Sequence, residues 1–297
     1  MPNALAHLGI QGIVTRSWLT KADLKWIFIG CIIPDLPWIL QRLIWIGFPN
    51  IDRYDLRLFA SIQSSLFFCL ILSFALAALA KRFWKVFIIL VINSLLHLLL
   101  DALQTKLANG VQFFVPFSWK MTNLELFWPE SLPTYLLTAL GLIYFILNWK
   151  KSISSQKEFT FQPIRLGLFL FFISVYFALP FFLLNGPEKA DNHFAKTLRS
   201  YSDRKGKDIE LDRAFYLPQK NRNVLITFAG EEIEAEGIKL NQPALVSIRG
   251  IFSSTDRIRV SQFHVHSKYF RKIASYFGLG LVAMVWIIYF IKRQKEY

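Results

Sequence analysis

Hydrophobic positions in this chain fall into long blocks separated by short basic segments. Residues 24–41, 59–79, 83–103, 133–148, 165–184 and 276–291 are nearly continuous apolar runs. Runs approaching about 20 residues are what a helix needs to cross a bilayer. A shorter run at 4–14 predicts a short or half-inserted helix. Between 187 and 272 the pattern changes. Hydrophobic density falls, and period-two alternation appears at 209–217, 223–228, 233–238, 244–252 and 257–266, as expected of half-buried strands. Together these patterns predict an α-helical polytopic membrane protein of about six spans plus a short N-terminal helix, carrying a small all-β, OB-like extramembrane insert. Three units are expected: a helical membrane domain over 1–186, a β domain over 187–272, and a final transmembrane helix with its tail over 273–297.

Composition agrees with a membrane chain. Of 297 residues, 54% are hydrophobic and 16% aromatic, well above a typical soluble domain. The net charge of +14 suggests a polyanion partner until its distribution is considered. Arg16/Lys21/Lys25, Lys81/Arg82/Lys85, Lys150/Lys151/Lys157 and Lys292/Arg293/Lys295 cluster at alternate ends of the apolar runs, the pattern of cytoplasmic loops. The insert holds 16 Lys/Arg against 11 Asp/Glu, too even a balance for a nucleic-acid groove. Nucleic acid is therefore not the expected partner; membrane lipid is. Alternation from the basic clusters puts 187–272 outside and the C-terminus on the cytoplasmic side. No basic segment leads to a small-residue cleavage site near the start, so the first spans are expected to direct insertion. Cys31 and Cys69 lack CxxC spacing, which argues against a disulfide framework or a thiolate zinc site.

Polar residues inside apolar runs carry the candidate chemistry. Asn93, His97 and Asp101 recur every four residues, which puts them on one face of a helix. Ionisable groups at membrane depth suggest function by default, and an imidazole with a carboxylate is part of a plausible divalent-metal site. The same alternation brings His7, Asp35, Gln63/Ser64 and His97/Asp101 toward one membrane face. Phe113, Phe114, Phe117, Trp119, Phe127 and Trp128 make an aromatic interfacial stretch that could roof the site, with Glu125 or Glu130 as a reserve acid. His264 and His266 share a strand face and could hold a metal, although surface histidine pairs are commoner.

Ala6-His7-Leu8-Gly9, Ile33-Pro34-Asp35, His97-Leu98-Leu99-Leu100-Asp101, Gly110 and Val115-Pro116-Phe117-Ser118 occur in that order. Over roughly residues 1–120 this arrangement resembles the bacterial membrane-bound metal-dependent hydrolase family (YdjM-like). The resemblance implies a divalent metal, zinc or manganese, with His7, Asp35, His97 and Asp101 as ligands. Where the family carries Thr-His-Ser-Leu, this chain has Gln63-Ser64-Ser65-Leu66, and Leu36 follows Asp35 in place of a second Asp. Gln11, Gln63 and Gln104, with Ser64 and Asn93, are available as supporting polar groups.

Two functions are expected to compete. In the first, a metal-dependent hydrolase acts near the outer face on a lipid or envelope substrate, with Asp35 or Asp101 as general base. In the second, a non-enzymatic envelope protein uses its helices to anchor a binding module. Transport has less support, because no internal repeat is visible.

Overall fold

The computed structural model describes residues 3–153, 159–220, 222–267 and 269–294. Lys157, Lys268 and Lys295, which belong to or flank the basic clusters named above, lie outside that set. Twelve α-helices occur among the described residues: α1 (Ala4–Trp18), α2 (Leu24–Ile32), α3 (Leu36–Gly47), α4 (Arg53–Gln63), α5 (Leu66–Ala78), α6 (Phe83–Ala102), α7 (Leu132–Leu147), α8 (Trp149–Ser152), α9 (Pro163–Leu183), α10 (Asn185–Lys189), α11 (Ala195–Arg199) and α12 (Phe270–Gln294).

Four stretches are long and apolar enough to cross a membrane: Leu24–Gly47, Phe83–Ala102, Pro163–Lys189 and Phe270–Lys292. This corrects the expected six spans. The run at 59–79 is not one straight helix, because α4 and α5 meet at 67°; counted as one broken span, they bring the number to five. The run at 133–148 forms α7, whose 16 residues reach only about 24 Å, short of a hydrocarbon core of about 30 Å. Ile164, Leu170, Phe171, Phe181 and Phe182 stay exposed along α9, as a lipid-facing surface does. Pro34 sits in a single tight turn, Ile33–Asp35, between α2 and α3. Its missing N–H interrupts the helix there and leaves Asp35 at the break.

The bundle is built around α1, which packs on α2, α6, α7 and α12. A Cβ added at Gly9 would lie 2.1 Å from the Gly141 Cα, and one at Gly141 would lie 2.0 Å from the Leu5 carbonyl. Only a glycine pair allows α1 and α7 to approach this closely. Asn3 caps α1, its side chain accepting from the Ala6 N–H while its amide donates to Thr138 on α7. That cap fixes the first turn of α1, where His7 lies.

The β segment forms a closed barrel of five strands, β1 (Asp208–Pro218), β2 (Asn223–Ile226), β3 (Glu232–Glu236), β4 (Ala244–Phe252) and β5 (Arg257–His266), in the order β1-β2-β3-β5-β4. All neighbours are antiparallel except β3 and β5, an OB-like arrangement. Ile209, Leu211, Tyr216, Leu225, Ile233, Val246, Ile248 and Ile258 fill it. The register of β4 against β5 slips at Arg249/Gly250, and a Cβ at Gly250 would fall 2.5 Å from the Arg259 carbonyl, so glycine is required at that bulge.

The barrel sits on the loop that joins α6 to α7. Glu210 accepts from the Ala108 N–H at 2.7 Å, and Arg249 reaches Glu125 at 3.3 Å. Arg53 of α4 donates to the Ala229 carbonyl at 2.8 Å. At the other end of the bundle, Arg16, Lys21, Arg82, Lys85 and Lys151 surround one pocket. Three of the four basic clusters therefore share one end, remote from the barrel.

Candidate metal centre

His97 and Asp101 occupy successive turns of α6, and both point at α1 and the Pro34-Asp35 break. Because α1 runs beside α6, His7 meets them. Its ring stacks on that of His97 with centroids 3.8 Å apart and planes 6° from parallel. His7 Nε2 lies 3.4 Å from Asp101 Oδ1, His97 Nε2 lies 3.4 Å from Asp35 Oδ1, and His97 Nε2 lies 3.9 Å from Asp101 Oδ2. Ligand atoms of His7, His97 and Asp101 all fall within 4.8 Å of one another. Both histidines are only 1% exposed, whereas Asp35 and Asp101 are 8% and 9% exposed. The carboxylates thus face the cavity and the imidazoles lie behind them.

Hydrogen bonding behind the site fits a cation. His97 Nδ1 is 2.6 Å from the Cys31 carbonyl. A carbonyl only accepts, so Nδ1 carries a proton, and in the neutral ring the Nε2 lone pair then faces the carboxylates. A metal-ligating histidine is commonly held in this way, its far ring nitrogen donating to a backbone carbonyl. His7 Nδ1 lies 3.0 Å from the Gln11 amide nitrogen, yet Gln11 Oε1 is buried without a partner. Interchanging the two amide atoms lets Oε1 accept from Nδ1–H and gives His7 the same tautomer. His7 Nε2 and His97 Nε2 are both buried with no hydrogen-bond partner, a costly state unless something else meets them. Separation supports the same conclusion, since two ligands each about 2.1 Å from a tetrahedral zinc lie about 3.4 Å apart.

The α6–α7 loop completes the site. It folds back over the end of α6, with Thr105 bonded to Phe127 and Leu124 to Ala102, while Asn123 donates to the Lys106 carbonyl. This holds Lys106 so that its Nζ is 3.0 Å from Asp101 Oδ2. Neither Lys106 nor the Cys31 carbonyl was expected from the sequence. Lys106 had a signal, lying five residues beyond Asp101; a backbone carbonyl has none.

Four of the supporting polar residues do other work. Gln63 donates to the Tyr176 carbonyl on α9 at 3.0 Å, and Asn93 bonds Thr15 and the Ile89 carbonyl one turn below His97. Ser64 bonds the Ser61 carbonyl but also lines the cavity over the site. Gln104 is buried, paired through its backbone with Phe127. Gln11 alone touches a histidine of the cluster.

Glu130, His264 and His266 make a second group whose ligand atoms lie within 4.8 Å. Here the Glu130 carboxylate is already engaged, although His264 Nε2, 3.5 Å from it, is buried without a hydrogen-bond partner as the Nε2 atoms of the first site are. Arg213 reaches Glu130 at 2.9 Å, His266 bonds Glu130 and Ser247, and His264 stacks on Trp128 at 3.8 Å. Burial alone would raise the Glu130 carboxyl, but His264, His266 and the Arg213 charge outweigh it and hold it far below the usual carboxylate range. This group acts as a clasp between loop and barrel, so Glu130 is no reserve acid for the first site.

A cavity of about 440 Å³ opens above Asp35 and Asp101, walled by α3, α4, the α6–α7 loop, β1, β2 and the start of α12. Comparison of the chain with protein-family models, curated proteins and solved structures finds no match in any of the three.

Proposed function

We propose that this chain is an integral-membrane hydrolase using a divalent cation, zinc or manganese, held by His7, His97, Asp35 and Asp101. The observation that carries the proposal is the convergence of His7, His97 and Asp101, whose ligand atoms lie within 4.8 Å of one another, with His97 Nδ1 committed to the Cys31 carbonyl and its Nε2 turned toward Asp35 and Asp101. The resemblance over residues 1–120 to bacterial membrane-bound metal-dependent hydrolases points the same way. A bound divalent cation supplies Lewis-acid chemistry, polarising a scissile oxygen and acidifying water.

The residues divide the remaining work. His7 and His97 bind from the buried side, and their outer-shell partners keep them neutral and oriented. Asp101 is tied by Lys106 and serves best as a ligand. Asp35, at the helix break and open to the cavity, either completes the ligand set or, unligated, takes a proton from water. Gathering of the basic clusters at the far end of the bundle supports a site and barrel on the outer face of a bacterial inner membrane, under the positive-inside rule.

Metal analysis of detergent-purified protein tests the proposal. The wild type is expected to hold about one equivalent of metal, His97→Ala to lose it, and Asn93→Ala, one turn away, to keep it. A wild type that stays metal-free after reconstitution with zinc and with manganese overturns the proposal.

A further inference from the structure

The cavity above the His/Asp cluster is lined by Arg42, Arg57, Lys106, Arg213 and Arg271, against the carboxylates Asp35, Asp101 and Asp212. Five cations against three anions leave a net +2, and a divalent ion on Asp35 and Asp101 would raise it to +4. Two of the cations are occupied, Lys106 by Asp101 and Arg213 by Glu130. Arg42, Arg57 and Arg271 have no carboxylate partner among the described residues. Arg57 is the most constrained. Its guanidinium lies 4.6 Å from the Phe228 ring centroid and 5.6 Å from that of Trp38, and its Nε is buried with no acceptor.

A guanidinium held against two rings with its buried Nε unanswered is a poor choice for stability, because burying an unpaired donor of a charged group costs more than ring contacts return. It is a good choice for receiving a planar or tetrahedral oxyanion in two-point fashion. The excess charge favours a dianion over a monoanion, and a phosphate monoester carries about −1.5 to −2 at neutral pH. The cavity walls also include Trp38, Trp45, Phe215 and Phe228, and Trp45 and Phe215 are exposed large hydrophobics. A polar floor under an apolar rim, at the end of membrane helices, suits an anionic head on a hydrocarbon tail.

We propose that this cavity binds the phosphate group of a membrane amphiphile, with Arg57, Arg271 and Arg42 receiving its oxygens, and that the substrate class is a lipid phosphomonoester. The anion site stands on the geometry alone; its use as a substrate pocket rests on the hydrolase proposed above. Hydrolysis would form one P–O bond to a water oxygen and break the ester P–O bond. The alcohol would leave carrying a proton and inorganic phosphate would remain, with no redox partner involved.

Inorganic phosphate, the product in that scheme, is the first probe. Calorimetric titration uses the full chain, zinc-loaded, in phosphatidylcholine nanodiscs. Wild type is expected to bind phosphate, and the Arg57→Gln/Arg271→Gln pair to weaken binding at least tenfold with metal content unchanged. Failure of the wild type to bind phosphate, or equal affinity in the pair, overturns the anion site. Should the pair fail to fold, Arg42→Gln on the exposed rim is read by the same criterion of weakened phosphate binding. His97→Ala separates the two proposals: arginine-dependent phosphate binding in a metal-free variant supports the anion site even if the hydrolase proposal has fallen. The source is decided by competition. Displacement by phosphatidic acid in the disc, and not by glycerol 3-phosphate in solution, supports the amphiphile. Equal displacement by both overturns the lipid assignment and points to a soluble phosphate ester.

Discussion

Cys31 contributes a carbonyl rather than a thiol to the candidate metal centre, and that single bond dictates which nitrogen of His97 is turned to the carboxylates. Protonation states in this molecule are set by such individual partners. His193 is the clearest case away from the membrane helices. It is buried, its Nδ1 lies 2.9 Å from the Ala108 carbonyl, and its ring meets Trp38 edge-on at 5.7 Å. Burial first, then the nearby Arg57 charge, lower its pKa to about 3. The unfolded chain takes that proton near about pH 6.5. The contribution is therefore fully present above the unfolded value and lost as pH falls from about 6.5 toward 3, by at most about 1.4 kcal/mol per pH unit. Thermal unfolding of the detergent-solubilised protein is expected to show this loss, and His193→Gln to flatten it. Parallel profiles for the two proteins would place the acid sensitivity elsewhere.

At the scale of elements, the position of His7 depends on how α1 is started and how closely it is packed. Asn3 supplies the start, and its replacement by alanine is expected to lower stability by about 1 kcal/mol through the lost cap, since it also costs the bond to Thr138. Close packing is the stronger constraint. Gly141→Ala puts a methyl group 2.0 Å from the Leu5 carbonyl oxygen, so α1 must shift, at about 1–3 kcal/mol of overpacking. Because His7 rides on α1, the variant is expected to lose metal as well as melting temperature. Metal retained at full occupancy in Gly141→Ala would show that α1–α7 spacing does not position His7. The bend between α4 and α5 follows the same logic. Ser64 and Ser65 end one helix and begin the next, the Leu66 N–H is bonded to the Gln112 carbonyl of the loop, and Ser64 is left lining the cavity.

For the molecule as a whole, the barrel and the bundle act as one through the α6–α7 loop. Glu130 is the hub, joined to Arg213, His264 and His266. With its carboxyl held far below the ordinary range, its contribution is present above about pH 4.3, the usual value, and is lost as pH falls further. Glu130→Gln removes the charge while preserving shape. Hydrogen exchange in β5 and in the loop before α7 is expected to quicken in this variant at neutral pH, with the barrel core unchanged. Unaltered exchange in both segments would mean that the other barrel–loop contacts suffice.

Local chemistry was legible in the chain. The four-residue repeat of Asn93, His97 and Asp101, the proline before Asp35 and the alternation of 244–252 and 257–266 act within one helix turn or along one strand, so periodicity alone reveals them. The five strands were legible for that reason, and so was the apolar character of the membrane runs. What only the tertiary structure decided lies between segments distant in sequence. Hydropathy could not distinguish α7, or the broken α4–α5 pair, from a full span, because length and straightness depend on where the backbone is interrupted. Nor could spacing tell that Asn93 packs against Thr15 on another helix, or that Arg57 and Arg271 would meet in one cavity. Those outcomes depend on the close approach allowed by Gly9 and Gly141, 132 positions apart, and on a loop folded back over α6, contacts beyond the reach of any helical or strand period.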